Sequence, residues 1–104
     1  MHIKGLIMND IIKTIEILKK SLSNTPNDID LKLHLANLQL STDQFQEAKE
    51  NFEQILRQEP NNIEALFGMG KCSFFLKELS DSRIFLGKLL KLTDYNLEYI
   101  GNSL

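Results

Sequence analysis

The sequence predicts an all-α fold of about five helices, and two observations support this prediction. First, apolar residues recur every three or four positions, as in Leu31, Leu35 and Leu38, which is the spacing of one face of an amphipathic helix. Second, the only prolines, Pro26 and Pro60, open the related tetrapeptides PNDI and PNNI and so define a 34-residue period. A fixed period of this length, combined with helical spacing, indicates a repeated helical unit.

The predicted helices lie between the turn signals of the sequence. The residue before a proline is disfavoured in a helix, so one helix ends before each proline. Asparagines that follow the prolines, Asn27 and either Asn61 or Asn62, can cap the next helix, and Ser41-Thr42-Asp43 breaks the first unit. We therefore expect helices near 8–22, 28–41, 44–58, 62–76 and 78–92, with a short helical turn at 96–101.

The 34-residue register extends through the body of each unit, because small residues align with small ones and large apolar residues with large ones. The aligned pairs are Ala36 with Gly70, Ala48 with Ser82, Phe52 with Leu86 and Leu56 with Leu90. The register divides the chain into a half unit at 8–28, units at 29–62 and 63–96, and a C-terminal tail at 97–104. Residues 1–7 fall outside it, and we expect an N-terminal tail that is disordered or vector-derived.

These residues resemble the tetratricopeptide repeat (TPR) family, whose unit is a 34-residue helix-turn-helix. Leu35-Ala36 matches the large-then-small pair in the first helix of that family, and Ala48 matches its small residue in the second. Phe52 matches its aromatic residue and Pro60 its closing proline. The resemblance implies antiparallel helix-turn-helix repeats, stacked as a short right-handed TPR-like solenoid.

The sequence departs from the family at two aromatic slots. The earlier slot holds Lys32 and Leu66 in the two units, and the later slot holds Gln39 and Ser73. We therefore expect looser packing between adjacent units, with the methylene stem of Lys32 lying along the core. Because about three units are usually needed for stability, the chain must cap itself, with its first helix and the 95–104 tail, or pair with a second copy.

The resemblance implies a concave face that is lined by the first helix of each unit and holds a protein or peptide partner. Carried over residue by residue, its partner-binding positions are Leu33, Asn37, Leu40, Phe67, Lys71, Phe74 and Phe75. Such an apolar face suits an amphipathic helix or an extended apolar peptide that is held by aromatic anchors. Contact with a second copy, giving a homodimer, remains an equal alternative for the same face.

Family members that clamp the C-terminal carboxylate of chaperones use a Lys or Arg followed by an Asn in the first unit, and then an Asn in the second. This sequence keeps Asn37 but has Leu33 and Gly68 at the other places. We therefore do not expect that ligand.

No set of residues predicts catalysis, a cofactor or a metal site. The segment Gly68–Ser73 looks like part of a phosphate-binding loop, but it lacks the first glycine and the hydroxyl after the lysine, and it lies inside a predicted helix. Cys72 is expected to be a buried small hydrophobe, and His34 has no identifiable partner. With 1 Cys and 2 His, the chain has too few ligands for the usual zinc sites. Because none of these residues predicts a catalytic site, we expect a non-enzymatic protein.

The charge balance, 12 Lys and Arg against 14 Asp and Glu, lacks the basic excess of nucleic-acid-binding proteins. No apolar run approaches the roughly 20 residues that span a bilayer, and the N-terminus lacks the pattern of a signal peptide. We expect no nucleic acid partner, no membrane insertion and a cytoplasmic location.

The leading hypothesis is a non-catalytic protein-interaction module, acting as an adaptor, a scaffold or a small holding chaperone. The alternatives are a homo-oligomeric structural unit and the repeat domain of a larger regulatory protein or ATPase.

Overall fold

The computed structural model describes the backbone of residues 2–103 and the side chains of residues 8–93. Within that part the chain forms five helices and no strand. The helices are α1 (His2–Asn24), α2 (Ile29–Ser41), α3 (Phe45–Gln58), α4 (Ile63–Phe75) and α5 (Leu79–Ser103). Each helix packs against the next, and α2 also packs against α4. The predicted all-α helical repeat is confirmed.

The three inner helices match the expected bounds to within a residue, whereas the two outer helices are longer. α1 begins at His2 rather than near residue 8, and α5 continues to Ser103 instead of ending near residue 92. The break expected after 92 depended on the 34-residue period, which places Asp94 where the first unit has Pro60. Because Asp94 is not a proline, the residue before it is not barred from the helix.

The division of the chain into units and tails stays a prediction. The N-terminal tail predicted at 1–7, and the cap predicted at 95–104, lie outside the side chains that the structure describes.

Side-chain caps begin the two helices that follow the prolines, at positions one repeat period apart. The Asn62 side chain accepts a 2.9 Å hydrogen bond from the Ala65 amide, which confirms one of the expected caps. At α2 the cap is Asp28 rather than Asn27, and its carboxylate accepts from the Leu31 amide at 3.1 Å. A carboxylate at this position satisfies a free amide and also interacts favourably with the positive end of the helix dipole.

The turn between the two helices of each unit repeats in detail. Asp43 and Lys77, which are one repeat period apart, both adopt left-handed backbone conformations, with φ of 62° and 63°. In both turns the next amide donates a 2.8 Å hydrogen bond back to the preceding helix, from Gln44 to Gln39 and from Glu78 to Ser73. The period therefore extends to backbone geometry that neither turn achieves with a glycine.

Small residues let the paired helices approach closely. Ala36 on α2 and Ala48 on α3 are fully buried. At the equivalent crossing of α4 and α5, the Ser82 hydroxyl donates a 2.9 Å hydrogen bond to the Gly70 carbonyl. A Cβ atom added at Gly70 would lie 2.4 Å from a methyl carbon of Leu86. At this distance the two atoms overlap, so the side chain or the helix would have to shift.

The buried side chains form two clusters. The larger cluster joins α2, α3 and α4 and contains Ala36, Ala48, Phe52, Ile55, Ala65, Met69 and Cys72. The smaller cluster joins α1 to α2 and contains Ile15, Leu18 and Leu35. α1 is thus attached to α2 by its own apolar contacts.

The residues that replace the family's aromatic side chains are buried. The Gln39 side-chain oxygen accepts a 2.7 Å hydrogen bond from the side-chain nitrogen of Asn51. The Ser73 hydroxyl has no hydrogen-bond partner within the described part of the chain. Leu66 is almost fully buried and Lys32 is only 6% exposed. Most of the Lys32 side chain therefore packs inside the array.

The two left-handed turn positions predict different responses to glycine. We expect Lys77→Gly to raise the free energy of unfolding by about 1 kcal/mol, because glycine adopts positive φ without the steric cost that lysine bears. Asp43→Gly should gain less, since aspartate tolerates this conformation better than lysine does. Urea unfolding of both variants checks the order, and a lower midpoint for Lys77→Gly would contradict it.

Two helical glycines provide a matched test of close packing. A Cβ at Gly68 would lie 2.3 Å from the Phe52 ring, whereas a Cβ at Gly87 would have nothing within 4 Å. Gly68→Ala should lower the free energy of unfolding by about 1–3 kcal/mol through overpacking. Gly87→Ala should raise it by about 1 kcal/mol through helix propensity. Thermal unfolding followed by circular dichroism measures both, and equal shifts of the same sign would show that the Phe52 contact is not limiting.

Candidate functional site

The structure places the seven predicted partner-binding residues on two helices that pack side by side. Leu33, Asn37 and Leu40 lie on α2, and Phe67, Lys71, Phe74 and Phe75 lie on α4. The first three each precede a counterpart on α4 by one repeat period, so α2 and α4 present them in the same register. We call these seven residues the α2–α4 face.

The phenylalanines of the α2–α4 face are exposed to solvent. Phe67 is 48% exposed, Phe74 58% and Phe75 53%. In contrast, Leu33 and Leu40 on α2 are partly buried against the larger core cluster. The face therefore consists of a largely packed α2 side and an α4 side whose aromatic rings remain open.

The exposed rings are organised by contacts with one another. Phe74 and Phe75 form an edge-to-face pair with ring centroids 5.7 Å apart. Phe75 also stacks on Phe45 at the start of α3, with centroids 4.7 Å apart and ring planes within 10°. Phe45 is not among the seven residues predicted for this face. Neither the 34-residue period nor the helical spacing signals this contact between the start of α3 and the end of α4.

One cation lies on the aromatic part of the face. The Lys71 ammonium is 4.3 Å from the centroid of the Phe67 ring, within the range of a cation–π interaction. Asn37, the counterpart of Lys71 on α2, is exposed. The face therefore carries a cation on one of its rings and an exposed amide on α2, and such polar groups can fix the orientation of a bound segment.

A nearby ion pair holds α3 against the turn that precedes α5. The Lys49 ammonium lies 2.8 and 3.1 Å from the two carboxylate oxygens of Glu78, and 4.0 Å from Glu53. The hydrogen bond to Glu78 raises the pKa of Lys49 above its ordinary value, although burial opposes the rise. The stabilisation is therefore present at neutral pH and is lost as the pH rises through the raised pKa.

The segment that resembles a phosphate-binding loop is part of a packed helix. Gly68–Ser73 lies within α4, and its two glycines lie against Phe52 and Leu86. Cys72 is fully buried, and burial raises the pKa of its thiol to about 11, while Lys71 and Lys49 act in the opposite direction. The helix-packing interpretation of this segment is confirmed by these contacts.

Three further structural findings concern a candidate histidine, metal binding and membrane crossing. His34 is exposed on α2. Among the residues that the structure describes, no cluster of three His, Cys, Asp or Glu side chains is placed to hold a metal ion. In the same part of the chain, no helix combines the length and the apolar character that crossing a membrane requires.

The fold and the face together define a helical-repeat protein with an open aromatic surface. The family model described as Tetratricopeptide repeat matches residues 40–94, which is more than half of the chain, and the chain belongs to this family. A search of curated proteins found no match. Membership of this family indicates a protein–protein interaction module.

The buried thiol gives a test of the packed α4. Iodoacetamide should alkylate Cys72 at neutral pH at least about a hundredfold more slowly in the native chain than in urea, because raising the pKa of the thiol from 9.0 to about 11 leaves about a hundredfold less thiolate. Mass spectrometry measures the reaction directly, since Cys72 is the only cysteine. Native alkylation at the unfolded rate would show that α4 opens freely.

Proposed function

We propose that the protein is a non-catalytic adaptor, scaffold or small holding chaperone that binds an apolar segment of a protein partner on the α2–α4 face. The observation that carries this proposal is the half-exposed state of Phe67, Phe74 and Phe75 on one helix. Aromatic side chains dominate the energetics of protein interfaces when a partner buries them. Exposed rings grouped on one surface are therefore a favourable anchor site.

The spacing of the rings suits two kinds of partner segment. Phe67 and Phe74 are two turns apart on the same helix, and the Phe74–Phe75 pair extends the surface toward α3. An amphipathic helix or an extended apolar peptide can place side chains between these rings. Lys71 lies between them in sequence and can contact polar or acidic groups at the edge of such a segment.

The test uses peptides selected from a display library that contains both amphipathic helices and extended apolar sequences. The variant is Phe67→Asp/Phe74→Asp. The matched control is Ile17→Asp/Ile84→Asp, because both isoleucines are 64% exposed and lie outside the face, on α1 and α5. Both double variants introduce two carboxylates on exposed positions, so a general effect of charge would appear in both.

Peptides selected on the wild-type chain should bind the Phe67→Asp/Phe74→Asp variant at least about tenfold more weakly, as expected for the loss of buried aromatic anchors. They should bind the control variant with unchanged affinity. Equal binding to both variants would contradict the proposal.

Sedimentation of the same proteins decides whether a second copy covers the face. A wild-type dimer whose mass halves in the Phe67→Asp/Phe74→Asp variant, but not in the control, would make this surface a homodimer contact. That result would overturn the partner proposal.

A further inference from the structure

An open cleft lies between α1, α2 and α3. No residue of the α2–α4 face lines it. Its volume is about 380 Å³, toward the lower end of the roughly 300–1,000 Å³ that small-molecule pockets occupy. Charged and amide side chains from all three helices line it. We call this opening the α1–α3 cleft, and its polar lining includes Lys19, Lys32, Gln39, Glu47, Glu50 and Asn51.

A cation whose stem is buried borders the cleft on the α2 side. Lys32 is only 6% exposed as a residue, but its ammonium is not among the fully buried polar atoms that lack a partner, so this end of the side chain reaches the cleft. Within the described part of the chain, Lys49 is the one cation that forms ion pairs, and its partners are Glu53 and Glu78. The Lys32 ammonium therefore has no anionic partner among those residues.

The repeat itself does not require a cation at this position. The equivalent residue of the second unit is Leu66, which is almost fully buried and fills the same place there. An apolar side chain is thus compatible with the same helix packing. The packing of the repeat therefore does not by itself require a charge at Lys32.

Gln39, two helical turns after Lys32 on α2, adds a second donor to the lining of the cleft. Its side-chain oxygen accepts the 2.7 Å hydrogen bond from Asn51, and this bond fixes the orientation of the Gln39 amide. The Gln39 amide nitrogen is then left to donate to a group in the cleft. An ammonium and an amide donor on one helix form a favourable site for a carboxylate.

The opposite wall carries acids. Glu47 and Glu50 line the cleft from α3, and neither forms an ion pair with a described residue. With Lys19 and Lys32 on the other side, the cleft has two positive and two negative side chains. A simple anion would approach the acids and a simple cation the lysines, whereas a molecule that carries both charges can satisfy both walls.

We propose that the α1–α3 cleft binds a small zwitterionic molecule, a free amino acid or a dipeptide. Its carboxylate accepts from Lys32 and Gln39, and its ammonium faces Glu47 and Glu50. This site is independent of the partner surface, because the two share no lining residue.

The experiment follows backbone amide signals of the labelled protein by NMR while each common free amino acid, and a set of simple dipeptides, is added. The cleft variants are Lys32→Met, which keeps most of the apolar stem, and Glu50→Gln. Lys13→Met and Glu16→Gln are the matched controls, because both residues are exposed on α1 and do not line the cleft. Circular dichroism confirms that each variant is folded.

At least one probe should give saturable shifts confined to residues around the cleft. Each cleft variant should weaken its binding by about tenfold or more, as expected for loss of a charge-assisted hydrogen bond, and the controls should not. The N-acetylated and the amidated forms of the same probe, each lacking one charge, should also bind about tenfold more weakly.

Three results would overturn the proposal. The first is the absence of saturable shifts with every amino acid and dipeptide. The second is unchanged affinity in Lys32→Met. The third is equally tight binding of acetate alone, which would make the cleft an anion site rather than a zwitterion site.

Discussion

The close approach of paired helices at small residues is the constraint on which the rest of the structure depends. Ala36 and Ala48 meet this constraint with methyl groups, whereas Gly70 and Ser82 meet it with a hydrogen bond from the hydroxyl to the helix carbonyl. Close backbones allow the large side chains to bridge successive helices, as when the Phe52 ring of α3 lies against α4 beside Gly68. Larger residues at these crossings would separate the helices and open the core that bridges α2, α3 and α4.

The sequence predicts most of this architecture because the pattern of the repeat occurs twice in it. The inner helices, the cap at Asn62 and the small-residue crossings all follow from the 34-residue period and helical spacing. The outer helices could not be predicted in the same way, because a period predicts a break only where the signal recurs. The proline that ends the first unit has no counterpart at Asp94, and α5 therefore continues to Ser103.

The α2–α4 face was predictable in its positions but not in its exposure. Leu33 and Phe67 occupy equivalent places, yet Leu33 is partly buried against the core and Phe67 is about half exposed. The difference arises from the place of each helix in the array. Among the described helices, α2 packs against α1, α3 and α4, whereas α4 packs against α2, α3 and α5. Register alone carries no information about which neighbours a helix has, and it also cannot reveal the stacking of Phe45 on Phe75.

The two units differ in the residues that replace the aromatic side chains of the family pattern. In the second unit the two aromatic slots hold Leu66 and Ser73, which are both buried within the packed helices. In the first unit they hold Lys32 and Gln39, whose polar ends need water or a ligand because the apolar core cannot solvate them. Both residues line the α1–α3 cleft, where water or a ligand can reach their polar ends. The two residues at which the first unit departs from the family pattern, Lys32 and Gln39, thus line a polar opening. The aromatic surface, in contrast, lies on residues that keep the repeat register.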